Sequence, residues 1–189
     1  MVLQDEFAIH SFLSGLSSPQ SHIISIIETI PLVVERLIVL PREQVLGTVA
    51  ISVLKTVGNS LAFQFLEGVR FLHHHKVAHL DLKPANVVIT TTKQLKLIDF
   101  SISVMLPELE SWIVGYRGTE GWAAPELERD PDGEFQPIRA DLWSSGRVLQ
   151  YLSECVGRKF AYANIMQQLL NNNPRERPHL SESLKMRQW

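Results

Sequence analysis

The stretch His79-Leu80-Asp81-Leu82-Lys83-Pro84-Ala85-Asn86, followed further along by Asp99-Phe100, constrains this chain more than any other part of it. Val87-Val88-Ile89 and Leu95-Lys96-Leu97-Ile98 are short aliphatic runs, and Thr90-Thr91-Thr92-Lys93-Gln94 between them predicts a small hairpin. A hairpin returns its two ends to one place, so Asn86 and Asp99 are expected side by side. They are hard oxygen donors of the kind magnesium takes. Asp81 adds a carboxylate that can receive a hydroxyl proton, and Lys83 a cation for a phosphate. Phosphoryl transfer from ATP asks for little more: positioning, a proton acceptor and charge to hold the phosphates.

At these residues the chain resembles the catalytic loop and the Asp-Phe-Gly segment of protein kinases. Gly118-Thr119, Ala124-Pro125-Glu126, Asp141-Leu142-Trp143-Ser144-Ser145-Gly146 and Asn173-Pro174-Arg175-Glu176-Arg177-Pro178 repeat the later landmarks of that family in order. Lys83 together with Thr119 resembles the serine/threonine class. The resemblance implies Asp81 as catalytic base, Lys83 on the γ-phosphate, Asn86 and Asp99 on magnesium, and protein hydroxyls as acceptors. It also implies an ion pair between Glu126 and Arg177, and an Asp141 carboxylate that accepts backbone N–H bonds from the catalytic loop.

The implied fold is α+β and kinase-like, a single domain over residues 1–189 with a truncated small lobe at 1–40 and a mostly helical large lobe at 41–189. Apolar spacing predicts a helix over 5–16, closed by Pro19, then strands over Ile23 to Glu28 and Leu32 to Leu40 joined near Pro31. By resemblance, Val39-Leu40-Pro41 is the hinge that meets adenine and Val88 lines the floor beneath it, while Pro41 offers no N–H to the base. From Val45 the pattern turns helical, with Leu61, Phe65, Leu66, Val69 and Leu72 on one stripe. Further helices are predicted over 141–153, 161–171 and 180–186. Only about twenty residues are expected between the Asp141 helix and the closing one, where the family usually carries an additional helix for docking substrates and regulators, so that helix is expected to be lost.

Composition narrows the partners. With 189 residues and a net charge of −2, nothing favours nucleic acid or an anionic membrane, and a protein partner or substrate is expected. Cys155 is the only cysteine, which excludes an internal disulfide and suits a reducing compartment, cytoplasmic or nuclear. Met1 to Glu6 lacks the regions of a signal peptide, and Glu28, Glu35 and Arg36 interrupt the most apolar stretch. His73-His74-His75 suggests a metal site, but neighbouring helical residues face different directions and are read as structural.

The front of the chain departs from the family pattern. Residues 1–40 contain one glycine, Gly15, and no lysine, so neither a glycine-rich phosphate cover nor a strand lysine is present there. Glu6, with Asp5 as rival, matches the helix glutamate that would pair with such a lysine. Leu80 stands where many kinases hold a phosphate with arginine, and Ser101 replaces the glycine after Asp-Phe. These absences admit two other readings. One is a kinase-like chain acting as a protein-binding or scaffolding module. The other is a piece of a longer kinase, whose Phe7, Ile9 and Phe12 and whose strand edge near Ile24 would lie open.

Overall fold

The computed structural model describes residues 5–16, 18–32 and 36–183. Helix α1, Glu6–Gly15, starts at Asp5, whose carboxylate accepts the Ala8 N–H at 2.7 Å. That bond satisfies one of the donors a helix start leaves without an intrahelical partner. Ile9 and Leu13, one turn apart, are fully buried in the main core, and the Arg36 guanidinium lies 4.1 Å over the Phe7 ring. The apolar side of this helix is therefore not open as the fragment reading expects. Phe12 remains exposed, whereas Ile9 and Ile24 are buried.

Strands β1 (Glu28–Pro31) and β2 (Arg36–Val39) form an antiparallel hairpin, with Glu28 opposite Val39 and Pro31 opposite Arg36. This shifts the expected first strand toward the C-terminus and places Pro31 inside it. Ile23 and Ile24 are used differently. The Ile24 N–H donates to the Leu97 carbonyl at 3.1 Å, and the Leu97 N–H to the His22 carbonyl at 2.7 Å, a single parallel bridge on the main body. Burial of both isoleucines outweighs extending an exposed strand. Positions 33–35 of the second expected strand and 184–186 of the last expected helix lie outside the described residues.

Gln44–Val45 is strand β3, where apolar spacing predicts helix, because Val45 pairs with Val88. Helix α2 then runs over Ile51–His74 and buries Leu61, Phe65, Leu66, Val69 and Leu72 completely, as the stripe predicts. Gly68 lets the Ile23 segment lie close on α2: an added Cβ there would meet His22 Cβ at 3.0 Å and Leu97 Cδ1 at 3.2 Å. Strand β4 (Val77–Ala78) follows, then β5 (Val87–Ile89) and β6 (Leu95–Leu97), which make the expected hairpin with β5 central between β3 and β6.

Downstream, β7 (Val104–Met105) pairs with β4, and β8 (Ile113–Val114) with β9 (Glu134–Phe135), which follows the short helix α3 (Pro125–Arg129). Helix α4, Pro137–Val156, packs between α2 and α5 (Ala163–Leu169), and α6 begins at Leu180 and reaches Ser183. Only residues 157–162 separate α4 from α5, and they hold a single 3-10 turn, Gly157–Lys159, so no further α-helix stands there. No helix among the described residues is long and apolar enough to cross a membrane.

Candidate active site

The loop after β4 is held from beneath by one carboxylate. Asp141, fully buried in the second turn of α4, accepts the His79 N–H on Oδ2 and the Leu80 N–H on Oδ1, each at 2.7 Å. His73 Nε2 donates to the same Oδ2 at 3.1 Å. A buried charge persists when its oxygens are saturated in this way. Leu80 adopts φ +66°, a left-handed conformation costly for a branched side chain. Its side chain is buried in a second apolar cluster with Val104, Leu106 and Ile113, so it anchors the loop to the segment that follows and cannot hold a phosphate.

His79 is oriented from both sides of its ring. Nδ1 accepts the Asp81 N–H at 3.3 Å, which leaves the ring proton on Nε2, donated to the Ile98 carbonyl at 3.0 Å. Phe100 lies 5.0 Å from the His79 ring on one side and 5.0 Å from the His10 ring of α1 on the other. His10 in turn donates from Nε2 to the Ile24 carbonyl at 2.8 Å, and burial holds its pKa below the ordinary histidine value. The ring column through His79 and Phe100 thus continues into the first helix.

Asp81 is the hub of the polar network. Oδ2 accepts Lys83 Nζ at 2.7 Å and Asn86 Nδ2 at 2.7 Å, and Oδ1 accepts the Thr119 hydroxyl at 2.7 Å. Lys83 Nζ also donates to Thr119 Oγ1 at 2.6 Å. Burial alone would raise the Asp81 pKa. The hydrogen bonds from Lys83 and Thr119, the Lys83 charge and the Asn86 amide outweigh that and hold it below the ordinary aspartate value. The result is an ionised carboxylate with a fixed orientation, reached by a lysine that can also touch an anion.

The hairpin delivers the second half of the site. The Ile98 N–H donates to the Asn86 carbonyl at 3.1 Å, extending the β5–β6 ladder so that Asp99 comes directly after the residue facing Asn86. The Asn86 amide nitrogen is committed to Asp81, through its carboxylate and its backbone carbonyl, so the amide oxygen is the end turned away from that carboxylate. Asp99 sits at φ +66°, and its Oδ1 accepts both the Ser101 hydroxyl at 2.6 Å and the Ser101 N–H at 3.3 Å. Ser101 therefore pins one carboxylate oxygen and leaves the other clear.

Glu6, and not Asp5, is the helix carboxylate that looks into this region, since Asp5 is used as the cap. Desolvation and the nearby Asp99 charge raise the Glu6 pKa above its ordinary value, against the pull of the Phe100 N–H. Glu6 and Asp99 thus lie close enough for each carboxylate to feel the other's charge.

The supporting ion pair is present as expected. Arg177, fully buried, donates from Nη1 and Nη2 to the two Glu126 oxygens at 2.7 Å each, and from Nε to the Asn171 carbonyl at 2.8 Å. This ties α3 to the turn before α6. Gly118, at φ +121°, brings Thr119 against the loop: a Cβ there would stand 3.1 Å from the Leu80 carbonyl oxygen. Val39, Leu40 and Pro41 lie at and just after the end of β2, four residues before the Val45 that pairs with the buried Val88. Val39 ends the β1–β2 hairpin, whereas Val88 lies in the separate β3–β5–β6 sheet, and Leu40 and Pro41 belong to neither.

Three residues of this region are not among the site residues expected from the sequence. Thr119 joins from 36 residues beyond Lys83, although the Gly118-Thr119 pair marked it. Ser101 reads in sequence only as a replaced glycine, although its hydroxyl two residues from Asp99 is the available signal. The third is His73, which the histidine run disguised. It bonds Asp141, whereas the His74 and His75 rings meet edge to face 5.0 Å apart.

A family model described as the protein kinase domain matches residues 18–163. Among curated relatives, the serine/threonine-protein kinase 17A of Oryctolagus cuniculus is 37% identical over 131 residues, covering 64% of this chain and 32% of that protein. The mitogen-activated protein kinase kinase kinase dlk-1 of Caenorhabditis elegans is 35% identical over 105 residues, 55% of this chain and 11% of the relative. Misshapen-like kinase 1 of Rattus norvegicus is 35% identical over 111 residues, 53% of this chain and 8% of the relative. The chain thus spans a third or less of the length of each of these kinases. With the family match running across the Asp81 network, the hairpin and the segment to α5, and with serine/threonine kinases as its relatives, the chain belongs to the protein kinase family.

Proposed function

We propose that this chain carries out phosphoryl transfer from ATP to serine or threonine hydroxyls of proteins, with the Asp81 network as its chemical centre. Protein kinase domains in general use ATP and magnesium, and the residues present fit both in part. Asn86 and Asp99 would hold magnesium, which supplies charge neutralisation on the phosphates when bound. Asp81 orients the acceptor hydroxyl and takes its proton. Its low pKa makes it a modest base, suited to a loose transition state in which the proton leaves late. Lys83 meets the transferred phosphoryl group from its position on Asp81 and Thr119. Val39, Leu40, Pro41 and Val88 receive the adenine, and the boundary between a small lobe and a large lobe falls at residues 40 and 41.

The observation that carries this reading is the single set of bonds that fixes Asp81 to Lys83, Asn86 and Thr119 on a loop clamped by Asp141. A protein acceptor in a reducing, cytoplasmic or nuclear setting accords with one buried, unpaired cysteine, Cys155. The test is label transfer from γ-labelled ATP to a generic serine/threonine acceptor protein. Magnesium-dependent transfer that disappears in Asp81→Ala and in Asp99→Ala is expected. Transfer equal in the wild type and both variants, or none in any of them, would leave the chain as a binding module.

A further inference from the structure

Ser101 is a residue of the candidate site whose chemistry the phosphoryl-transfer reading leaves unused. Its hydroxyl donates to Asp99 Oδ1 at 2.6 Å, and its N–H to the same oxygen at 3.3 Å. A carboxylate oxygen offers about two lone-pair positions, and Ser101 fills both on Oδ1. Among the described residues the Asp99 carboxylate accepts hydrogen bonds from Ser101 alone, so Oδ2 stays free. Left-handed strain in this turn falls on Asp99, at φ +66°, whereas Ser101 is not among the residues of positive φ. The backbone therefore does not require glycine at 101, and a side chain there is free to serve the carboxylate. The donor is also carried on a fixed segment. Phe100 is fully buried between the His10 and His79 rings, and Ser103 donates from its hydroxyl to the His79 carbonyl and from its N–H to the Phe100 carbonyl, each at 3.1 Å.

We propose that Ser101 is a positioning residue that makes Asp99 a one-oxygen ligand and thereby selects magnesium over calcium, a role that rests on the reading of Asp99 as a magnesium ligand. The two ions ask for different carboxylates. Magnesium demands a compact, near-ideal octahedron, whereas calcium accepts about six to eight oxygens in a flexible shell and takes a carboxylate through one oxygen or both. With Oδ1 saturated, Asp99 presents a single oxygen in a single direction, which suits the smaller ion. Without the hydroxyl, Oδ1 keeps only the long bond from the N–H, and the carboxylate turns more freely and can offer both oxygens to a larger ion. Hydrogen bonds to a ligating group also fix its orientation before the ion arrives, and losing such a partner typically weakens metal binding about 10–100-fold. The Glu6 charge on the α1 side repels Asp99 and supplies no such hold, which leaves the task to Ser101.

The experiment is calorimetric titration of ADP into the whole chain, with an equal excess of magnesium in one arm and of calcium in the other. The proteins are the wild type, Ser101→Ala, Ser101→Thr and Asp99→Asn. Tighter binding in the magnesium arm is expected for the wild type. Ser101→Ala should weaken that arm about tenfold and the calcium arm less, so that the preference shrinks. Ser101→Thr keeps the hydroxyl and should keep the preference. The metal-free unfolding midpoint should be the same in the wild type and both Ser101 variants, because Ser101 is exposed and its hydroxyl contributes little to the body. Magnesium binding in Ser101→Ala equal to the wild type, equal losses in both arms, or a Ser101→Thr that behaves like Ser101→Ala would overturn the role of Ser101. In each of those cases a metal response that still disappears in Asp99→Asn leaves the magnesium reading standing. Nucleotide binding that ignores both metals in the wild type and is unchanged in Asp99→Asn would overturn that reading and the role of Ser101 with it.

Discussion

The catalytic loop and the β1–β2 hairpin lie at opposite extremes of polar and apolar satisfaction. In the loop, Asp141, His79, Asp81 and Asn86 are each bonded to two or more partners, and the Phe100 beside them is fully buried. In the hairpin, Ile30, Leu32 and Leu37 stand exposed at 42%, 49% and 51%, with no other strand joined to either edge among the described residues. The groups proposed to handle a phosphoryl group are thus fixed by the body that carries them, independently of the sheet that precedes it. An apolar sheet with open edges contributes little to that body and is free to meet something else.

The sharpest way to break this contrast is Asp141→Ala. It strands two buried backbone N–H groups and His73 at once, and should cost about 3–5 kcal/mol in denaturant unfolding. A loss below about 1 kcal/mol would mean that the loop holds its shape without the clamp. Next in size is Gly118→Ala, which forces a Cβ toward the Leu80 carbonyl at positive φ. A loss of about 1–3 kcal/mol is expected, together with weaker label transfer because Thr119 is displaced from Asp81.

How much of this contrast was legible in the sequence depended on distance along the chain. The spacing from His79 to Asn86 and on to Asp99 encodes a local hairpin, so the loop and the Asn86–Asp99 juxtaposition could be read directly. Asp141, Glu126 and Arg177 were legible only through family resemblance. Ile23 and Ile24 read as the core of a strand because nothing local reveals that Leu97 will bridge them. Val45 read as helix for the same reason, its strand partner Val88 lying far downstream. Thr119 and Ser101 are not legible as site residues because their value lies in which oxygen they touch, which spacing does not report.

Glu6 gives a pH-dependent refinement. A carboxyl whose folded pKa is raised binds protons more tightly in the native state, so stability falls as pH rises from the ordinary glutamate value of 4.5 through the raised one. Glu6→Gln removes that penalty and keeps an acceptor for the Phe100 N–H. It should raise stability at neutral pH by a few tenths of a kcal/mol, roughly, given solvent screening, and confer no gain below the ordinary glutamate range. A gain that persists in acid would show that the cost of ionising Glu6, through its burial and the Asp99 charge, is not its cause. The smallest effect belongs to the other region: Ile30→Ser with Leu37→Ser should change unfolding free energy by about 0.5 kcal/mol or less, and a larger loss would show that the hairpin supports the core.

The central claim is that Asn86 and Asp99 form a magnesium and nucleotide site sustained by the clamped loop, although residues 1–40 provide neither a glycine-rich cover nor a lysine. A thermal shift with ATP, run with and without magnesium on the wild type and on Asp99→Asn, tests it most directly. Magnesium-dependent stabilisation approaching about 2.7 kcal/mol at a hundredfold excess over Kd is expected for the wild type, and none for the variant. A shift that is absent, or equal in both proteins and indifferent to magnesium, would contradict it.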